Sequence, residues 1–466
     1  MGLNLSRIFT PLFLCIIGGV VGVILDVNTC LGQGAEETLD DALRKAVQGQ
    51  GHLGKLLEGV PNRTIQSAES ATLLIGFLES TTLPKLLEEV EGVSQLDVVI
   101  ALFQNARGGP SIGVLKREGL PYLYRWGDEL SLDIPEQAQD EFLFLMQLFA
   151  GYKTRDGSYR VVQAAQKGLL SDHDFWPFVF DAFLYDHSDA IRVLLELTDD
   201  LPDGQIGMGI LDCSNALSLE GAQFTHPFDQ DEGIQRFEKW LAEQEGEGIS
   251  KSQSAVAALP FLKHPKRNRL LQIAVDHPHP LIQAEAGWAL CKLGDRRGVR
   301  LLQSVARNVR YSGTARMYLE ELGEEAFIPR EALEPAFLAK ADLCQFLAHP
   351  GEYGVPPDQV EIVDTQTLNW PPTRRQETVW LVRVTYGSGH ASVDPHSGVA
   401  FVGTALFYEP ERMKDLKTLD QLYGAYCAWE LSETDDPRLV GEPTAEAGWA
   451  LIQAANPRGR LFRRVP

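Results

Sequence analysis

Seven cations crowd one stretch of this sequence: Lys263, Lys266, Arg267 and Arg269, then Arg296, Arg297 and Arg300. Lys266 and Arg269 recur as Arg297 and Arg300 at a shift of 31 residues, so whatever positions the first pair should position the second alike. Such a set holds anions, which makes it a docking ridge for an acidic peptide, a nucleic-acid backbone or an anionic lipid. The plainer reading is a solvated turn whose charges pair with the chain's own carboxylates, each exposed pair being worth little. His277-Pro278-His279-Pro280 with His264 offers imidazoles to a metal, but no Cys, Asp or Glu completes a ligand spacing and the prolines signal a turn. Cys427 or Cys344 with His390 or His396 and Asp394 would supply a nucleophile, a base and an orienting group. Cys427, however, stands between Tyr426 and Trp429 in an apolar helical pattern, where a thiol is usually core. No P-loop, nucleophile elbow, zinc-protease helix or dinucleotide fingerprint is present. No catalytic, cofactor or metal site is therefore expected, and the basic set is the candidate partner-binding site.

The elements that must carry these residues are mostly helices. From Asp40 to about Leu241 apolar residues fall at three- and four-residue spacing, as in Phe142 to Phe149 and Ile191 to Leu197. Turn signals such as Gly108-Gly109-Pro110 and Leu201-Pro202-Asp203-Gly204 cut this stretch into helices of ordinary length. Between 252 and 323 the chain repeats itself: Ala258, Leu259, Leu262, Leu270, Leu271 and Gln272 fall on Ala289, Leu290, Leu293, Leu301, Leu302 and Gln303 at the same shift of 31. A partial third copy sets Leu319, Leu322 and Gly323 against Leu290, Leu293 and Gly294. A period of this size belongs to stacked helical hairpins, each burying a face against its neighbours.

The run from His279 to Asp295, HPLIQAEAGWALCKLGD, followed by Gly298-Val299-Arg300-Leu301-Leu302, resembles a short HEAT-type repeat of the kind shared with phycobilin lyases. The resemblance covers about two repeats and implies an α-solenoid, with one helix ending at Leu293-Gly294-Asp295 and the next beginning just after. One enzymatic branch of the class resembles a di-iron hydroxylase with a His-Glu pair on successive first helices. The matching position here reads Gln283-Ala284-Glu285 without an adjacent histidine, so that activity is set aside.

From about 331 the period changes. After a helix near Ala332 to Leu347, the runs Val360–Leu368, Thr378–Tyr386 and Val399–Tyr408 read as strands, with a turn over Asp394–Gly398 and helices around Leu419–Leu431 and Thr444–Ala455. The strand Gly398-Val399-Ala400-Phe401-Val402-Gly403 resembles that of HEAT-repeat proteins with a similar tail, which brings no activity with it. The expected fold is thus mainly α: a HEAT-like solenoid of hairpins about 31 residues long, then a small α+β domain. Its segments are 1–35, a hydrophobic anchor or signal; 36–250, acidic and all-helical; 251–330, the repeats; and 331–466, the α+β domain.

Charge and the N-terminus complete the expectation. The 466 residues carry a net charge of −22, while 251–330 holds 13 Lys and Arg against 7 Asp and Glu, a basic island in an acidic chain. Chain-wide nucleic-acid binding is disfavoured, because phosphate contacts need cations. Ile8 to Leu25 is uncharged and apolar, preceded by Arg7 and followed by Asp26; it reads as an anchor or export signal with the body on the non-cytoplasmic side, a cytoplasmic body being the alternative. Cys15, Cys30, Cys213, Cys291, Cys344 and Cys427 form no CxxC pair and read as small buried hydrophobes. The function expected is a non-enzymatic scaffold for a protein partner, an acidic one being the natural complement of the basic set. The alternative is an enzyme or lyase-like module holding a small molecule between the solenoid and the tail, where Trp370, Trp380, Tyr386, Tyr408 and Trp429 could line a pocket.

Overall fold

Helical periodicity becomes helix wherever a short polar residue can start it. Thr38, Ser67, Ser94 and Thr154 each accept a backbone N–H from the first turn of the helix they precede, satisfying a donor that has no partner inside the helix. The computed structural model describes residues 38–457 except 59, 244–246, 350, 389–392, 435 and 440. These residues form two compact units, the first ending at Leu270 and the second beginning at Leu271.

The first unit runs α1 (Leu39–Val47), α2 (Leu53–Leu57), α3 (Ala68–Ser80), α4 (Leu83–Leu86), a two-residue hairpin β1 (Glu89–Val90) and β2 (Val93–Ser94), α5 (Gln95–Gln104), α6 (Gly109–Val114), α7 (Leu120–Leu130), α8 (Gln139–Gly151), α9 (Arg155–Gln166), α10 (Trp176–Asp181), α11 (His187–Glu196), α12 (Gly204–Leu219), α13 (Asp231–Trp240) and α14 (Glu247–Ala258). Between α6 and α7, Leu115–Gly119 widens into a π turn, just before Pro121, whose nitrogen has no hydrogen to donate. The core is aromatic: Phe103, Trp126, Phe142, Phe149, Trp176, Phe180, Phe228 and Phe237 are all fully buried.

α15 (Arg267–Val275) spans the boundary, and the second unit continues with α16 (Pro280–Lys292), α17 (Arg297–Ala306), α18 (Ser312–Glu321) and α19 (Pro335–Leu347). α16 and α18 end alike. Gly294 and Gly323 hold φ of +81° and +69°, and the next N–H reaches back to Leu290 O and Leu319 O respectively, so two copies of the repeat share one glycine stop. α16 and α17 cross at Gly287 and Gly298, where a Cβ on Gly298 would fall inside contact distance of the Gly287 carbonyl oxygen.

A four-stranded antiparallel sheet follows: β3 (Gln359–Trp370), β4 (Arg375–Tyr386), β5 (His396–Val402) and β6 (Leu406–Phe407), in that order. Three strands were expected. The last is two, because a turn through Gly403, whose N–H meets Ala405 O, folds Leu406-Phe407 back on Phe401-Val402. His396 to Gly398, expected as turn, already belong to β5. One face of the sheet packs on α21 (Leu419–Ser432) and α22 (Ala445–Ala455), which follow the short α20 (Pro410–Met413), and the other packs on α19. Ile362 and Leu368 have the same parity yet face opposite sides. The bulge between Ile362 and Asp364 inserts Val363 and inverts the alternation beyond it.

The expectation of a membrane anchor is corrected. No helix among the described residues is long and apolar enough to cross a membrane. The longest, α12, has 16 residues, about 24 Å of rise against the ~30 Å of a hydrocarbon core. The run from Ile8 to Leu25 lies outside the described residues.

Candidate functional site

Within the first unit, α5 and α8 lie side by side in matched register. Gln104 Nε2 donates to Gln147 Oε1 at 3.3 Å, Tyr152 Oη donates to Phe103 O at 2.9 Å, and the Phe103 and Tyr152 rings meet at 5.9 Å. The start of α5 is held by a reciprocal cap, in which Ser94 Oγ accepts the Asp97 N–H and the Asp97 carboxylate accepts the Ser94 N–H. α10 closes over this pair of helices through Phe175, whose ring meets Phe144 edge-on at 4.9 Å and Phe178 at 5.3 Å.

These elements enclose a cleft of about 610 Å³. That lies within the roughly 300–1,000 Å³ of small-molecule sites. Ile100, Phe103, Ile112, Phe144, Leu148, Phe175 and Phe178 form its apolar walls. Three cations complete its lining. Arg107 follows the end of α5, Lys153 follows the end of α8, and Lys116 projects from the π turn, three residues before Gly119, whose own position abuts the Phe103 ring. Arg107 Nη1 donates to Gln104 O and Ala106 O, and Lys153 Nζ donates to Tyr185 O at 2.9 Å. Among the described residues none of the three forms an ion pair, in a chain with 64 acidic residues.

The other end of the cleft is acidic and shielded. Asp97, the one carboxylate in the lining, is spent on the Ser94 cap, and burial raises its pKa. Beside it the Glu141 side chain is 5% exposed and its carboxyl is pushed up to about 7, first by burial and then by the Asp97 charge. A carboxyl so raised stabilises fully below its unfolded value near 4.5, and that stability is lost as pH rises through about 7. Glu141→Gln should therefore leave stability at pH 4.5 nearly unchanged and raise it by about 2 kcal/mol at pH 8. Urea midpoints at the two pH values check this; equal shifts at both would refute it.

The residues singled out in the sequence lie elsewhere. Lys263, Lys266, Arg267 and Arg269 belong to the first unit, and Arg296, Arg297 and Arg300 to the second. Three of the seven have acidic partners: Arg269 with Glu238 at 3.8 Å, Arg296 with Glu324 at 3.2 Å and Arg297 with Asp295 at 2.7 Å. Arg267 donates to Leu262 O and Asn268 Oδ1. Lys263, Lys266 and Arg300 form no ion pair among the described residues.

The histidines shape turns. In His226, His264, His277 and His279 alike, Nδ1 accepts the backbone N–H two residues on. Among the described residues no three His, Cys, Asp or Glu side chains gather as a metal-ligand set. Cys427 is buried on the α21 face of the sheet while His396 stacks with Tyr386 and Tyr408 and meets Tyr353 at a tilt on the α19 side. Burial pushes the Cys344 and Cys427 thiols up to about 12, away from thiolate chemistry. His390 lies outside the described residues. The tail's aromatics divide between the two faces, Trp370 and Trp429 on one, Trp380, Tyr386 and Tyr408 on the other, as core. Sequence reading missed the cleft; its one local signal was the aromatic density of Phe142–Phe149 and Phe175–Phe183.

No family model, no curated protein and no solved structure matches this chain.

Proposed function

We propose that this chain is a binding module of hairpin repeats in the HEAT-like manner, and that its first unit holds a small, apolar-bodied ligand in the cleft between α5, α8 and α10. One observation carries the reading: a pre-formed cavity with aromatic walls and a few polar groups in its lining, the usual make-up of a ligand site. The direct test is a neutral apolar fluorophore, N-phenyl-1-naphthylamine, titrated into the full chain. It should bind saturably at one site. Ala182→Trp, which fills the lining between Phe178 and Tyr185, should weaken it at least tenfold with the melting temperature unchanged. No saturable binding, or equal binding to the variant, would count against the proposal.

A second reading keeps the protein-partner scaffold. It is favoured by Lys263 and Lys266 of the first unit, exposed or half-exposed cations beside the start of α15 that form no ion pair among the described residues. An acidic partner docked there should lose affinity in Lys263→Glu/Lys266→Glu and at raised salt. Capture of a partner by the parent chain and by this variant alike would move the contact elsewhere.

A further inference from the structure

The cleft has a direction. From Asp97 to Gln104 the α5 wall extends about 10 Å, with the capped carboxylate at the start of the helix and Arg107 and Lys153 just past the C-terminal ends of α5 and α8; Lys116 of the π turn completes the cations of the lining. The cation end is assembled by contacts already described: Gln104 with Gln147 and Phe103 with Tyr152 bring the C-terminal ends of α5 and α8 together, and with them Arg107 and Lys153. Part of their charge has a local use. Carbonyls at helix C-termini favour nearby cations, and Arg107 Nη1 serves Gln104 O and Ala106 O. Arg107 Nε and Nη2 and the Lys116 ammonium have no partner among the described residues, and Lys153 gives one hydrogen bond to the Tyr185 carbonyl and lies 5.7 Å from the centre of the Tyr185 ring. An exposed cation alone is ordinary. Three in the lining of one apolar trough, none of them in an ion pair among the described residues, form half of an ion-pairing site.

We infer that the occupant of this cleft is a single-chain amphiphile with an anionic head, its tail along Ile100, Phe144, Phe175 and Phe178 and its head among Arg107, Lys116 and Lys153; the inference rests on the cleft being the binding site. A neutral chain would satisfy the walls and leave the lining charges to water. A cationic head would meet three like charges. A carboxylate or phosphate head gains charge-assisted hydrogen bonds from a guanidinium and two ammonium groups while the chain displaces water from aromatic walls.

The test displaces N-phenyl-1-naphthylamine from the full chain with three molecules that share one tail: decanoate, decanol and decyltrimethylammonium, all below micelle formation and at low salt. Decanoate should displace the probe at a concentration at least about tenfold lower than decanol, with the cationic compound weakest. Octanoate should be weaker than decanoate by about fourfold per methylene removed, and acetate should not displace the probe. Arg107→Gln/Lys116→Gln/Lys153→Gln should bring the decanoate-to-decanol ratio to about one, each displacement being referred to the variant's own affinity for the probe. Decanol equal to decanoate in the parent, or an unchanged ratio in the triple variant, overturns the anionic head and leaves the cleft reading standing. Absence of probe binding to the parent overturns both.

Discussion

Gly298→Ala should destabilise the α16–α17 hairpin by about 3 kcal/mol, and Gly298→Val by more, although alanine is the better helix former. Intrinsic propensity would favour alanine inside a helix by about 1 kcal/mol. Packing opposes it: the added Cβ would overlap the Gly287 carbonyl oxygen and lie 2.6 Å from Cys291 Sγ, and a backbone oxygen cannot move aside as a side-chain tip can. Overpacking of this kind costs about 1–3 kcal/mol where side chains can yield, and here the two helix axes must part. The companion substitution Gly294→Ala separates crowding from conformation. Its Cβ would meet nothing within 4 Å, so only the positive φ of +81° is charged against it, about 1 kcal/mol. Urea unfolding ranks the variants, and hydrogen exchange over 280–306 localises the loss. Gly298→Ala as stable as the parent would show that the crossing is looser than the structure has it.

Lowering the pH from 8 to 4.5 should cost the first unit about 3 kcal/mol at His226 alone. This imidazole is 4% exposed, set between Phe224 and Phe228, with Nδ1 accepting the Phe228 N–H and Nε2 at 3.1 Å from Asn215 Oδ1. With Nδ1 occupied as an acceptor, Nε2 carries the proton and donates. Burial holds the pKa down at about 3. The sign follows: the unfolded chain takes up a proton near pH 6.5 that the folded site refuses, so the contribution is full above 6.5 and is lost progressively as pH falls from there towards 3. Glu141 has the opposite sign, so the isolating comparison is between variant and parent. In His226→Asn the shorter amide can still accept the Phe228 N–H as an Asx turn, but it gives up the ring packing and the Asn215 bond. The variant should be less stable than the parent at pH 8, and the gap should close at pH 4.5. A gap of the same size at both pH values would mean that His226 titrates normally. His279, held down to about 4 by burial and by the His277 and Arg310 charges, should give the second unit a loss of the same sign that ends nearer pH 4.

Local signals carried much of the fold. Thr38, Ser67, Ser94 and Thr154 started helices where short polar residues precede apolar periodicity, and the repeat between 252 and 323 announced the common stop seen at Gly294 and Gly323. The same kind of reading went astray where a single residue redirects the chain. The bulge at Val363 and the fold-back after Gly403 each turn on one position within a run of otherwise uniform β character, and hydrophobic alternation averages over such a position.

What the sequence determined by itself is therefore the inventory: helices from capped periodic runs, a repeated hairpin, a short β tail, and an acidic chain with one basic island. Tertiary structure alone decided which residues meet. Arg107, Lys116 and Lys153 are scattered cations in the primary structure and line one cleft only because distant segments pack together, α5 and α8 bringing Arg107 and Lys153 and the π turn bringing Lys116, while the seven cations that are close in sequence belong to two units and pair in part with nearby acids. The physical reason is range. Capping, periodicity and turn formation act within a few residues and can be read in order along the chain, whereas a cleft is made by contacts between side chains tens of residues apart, whose partners are chosen by packing.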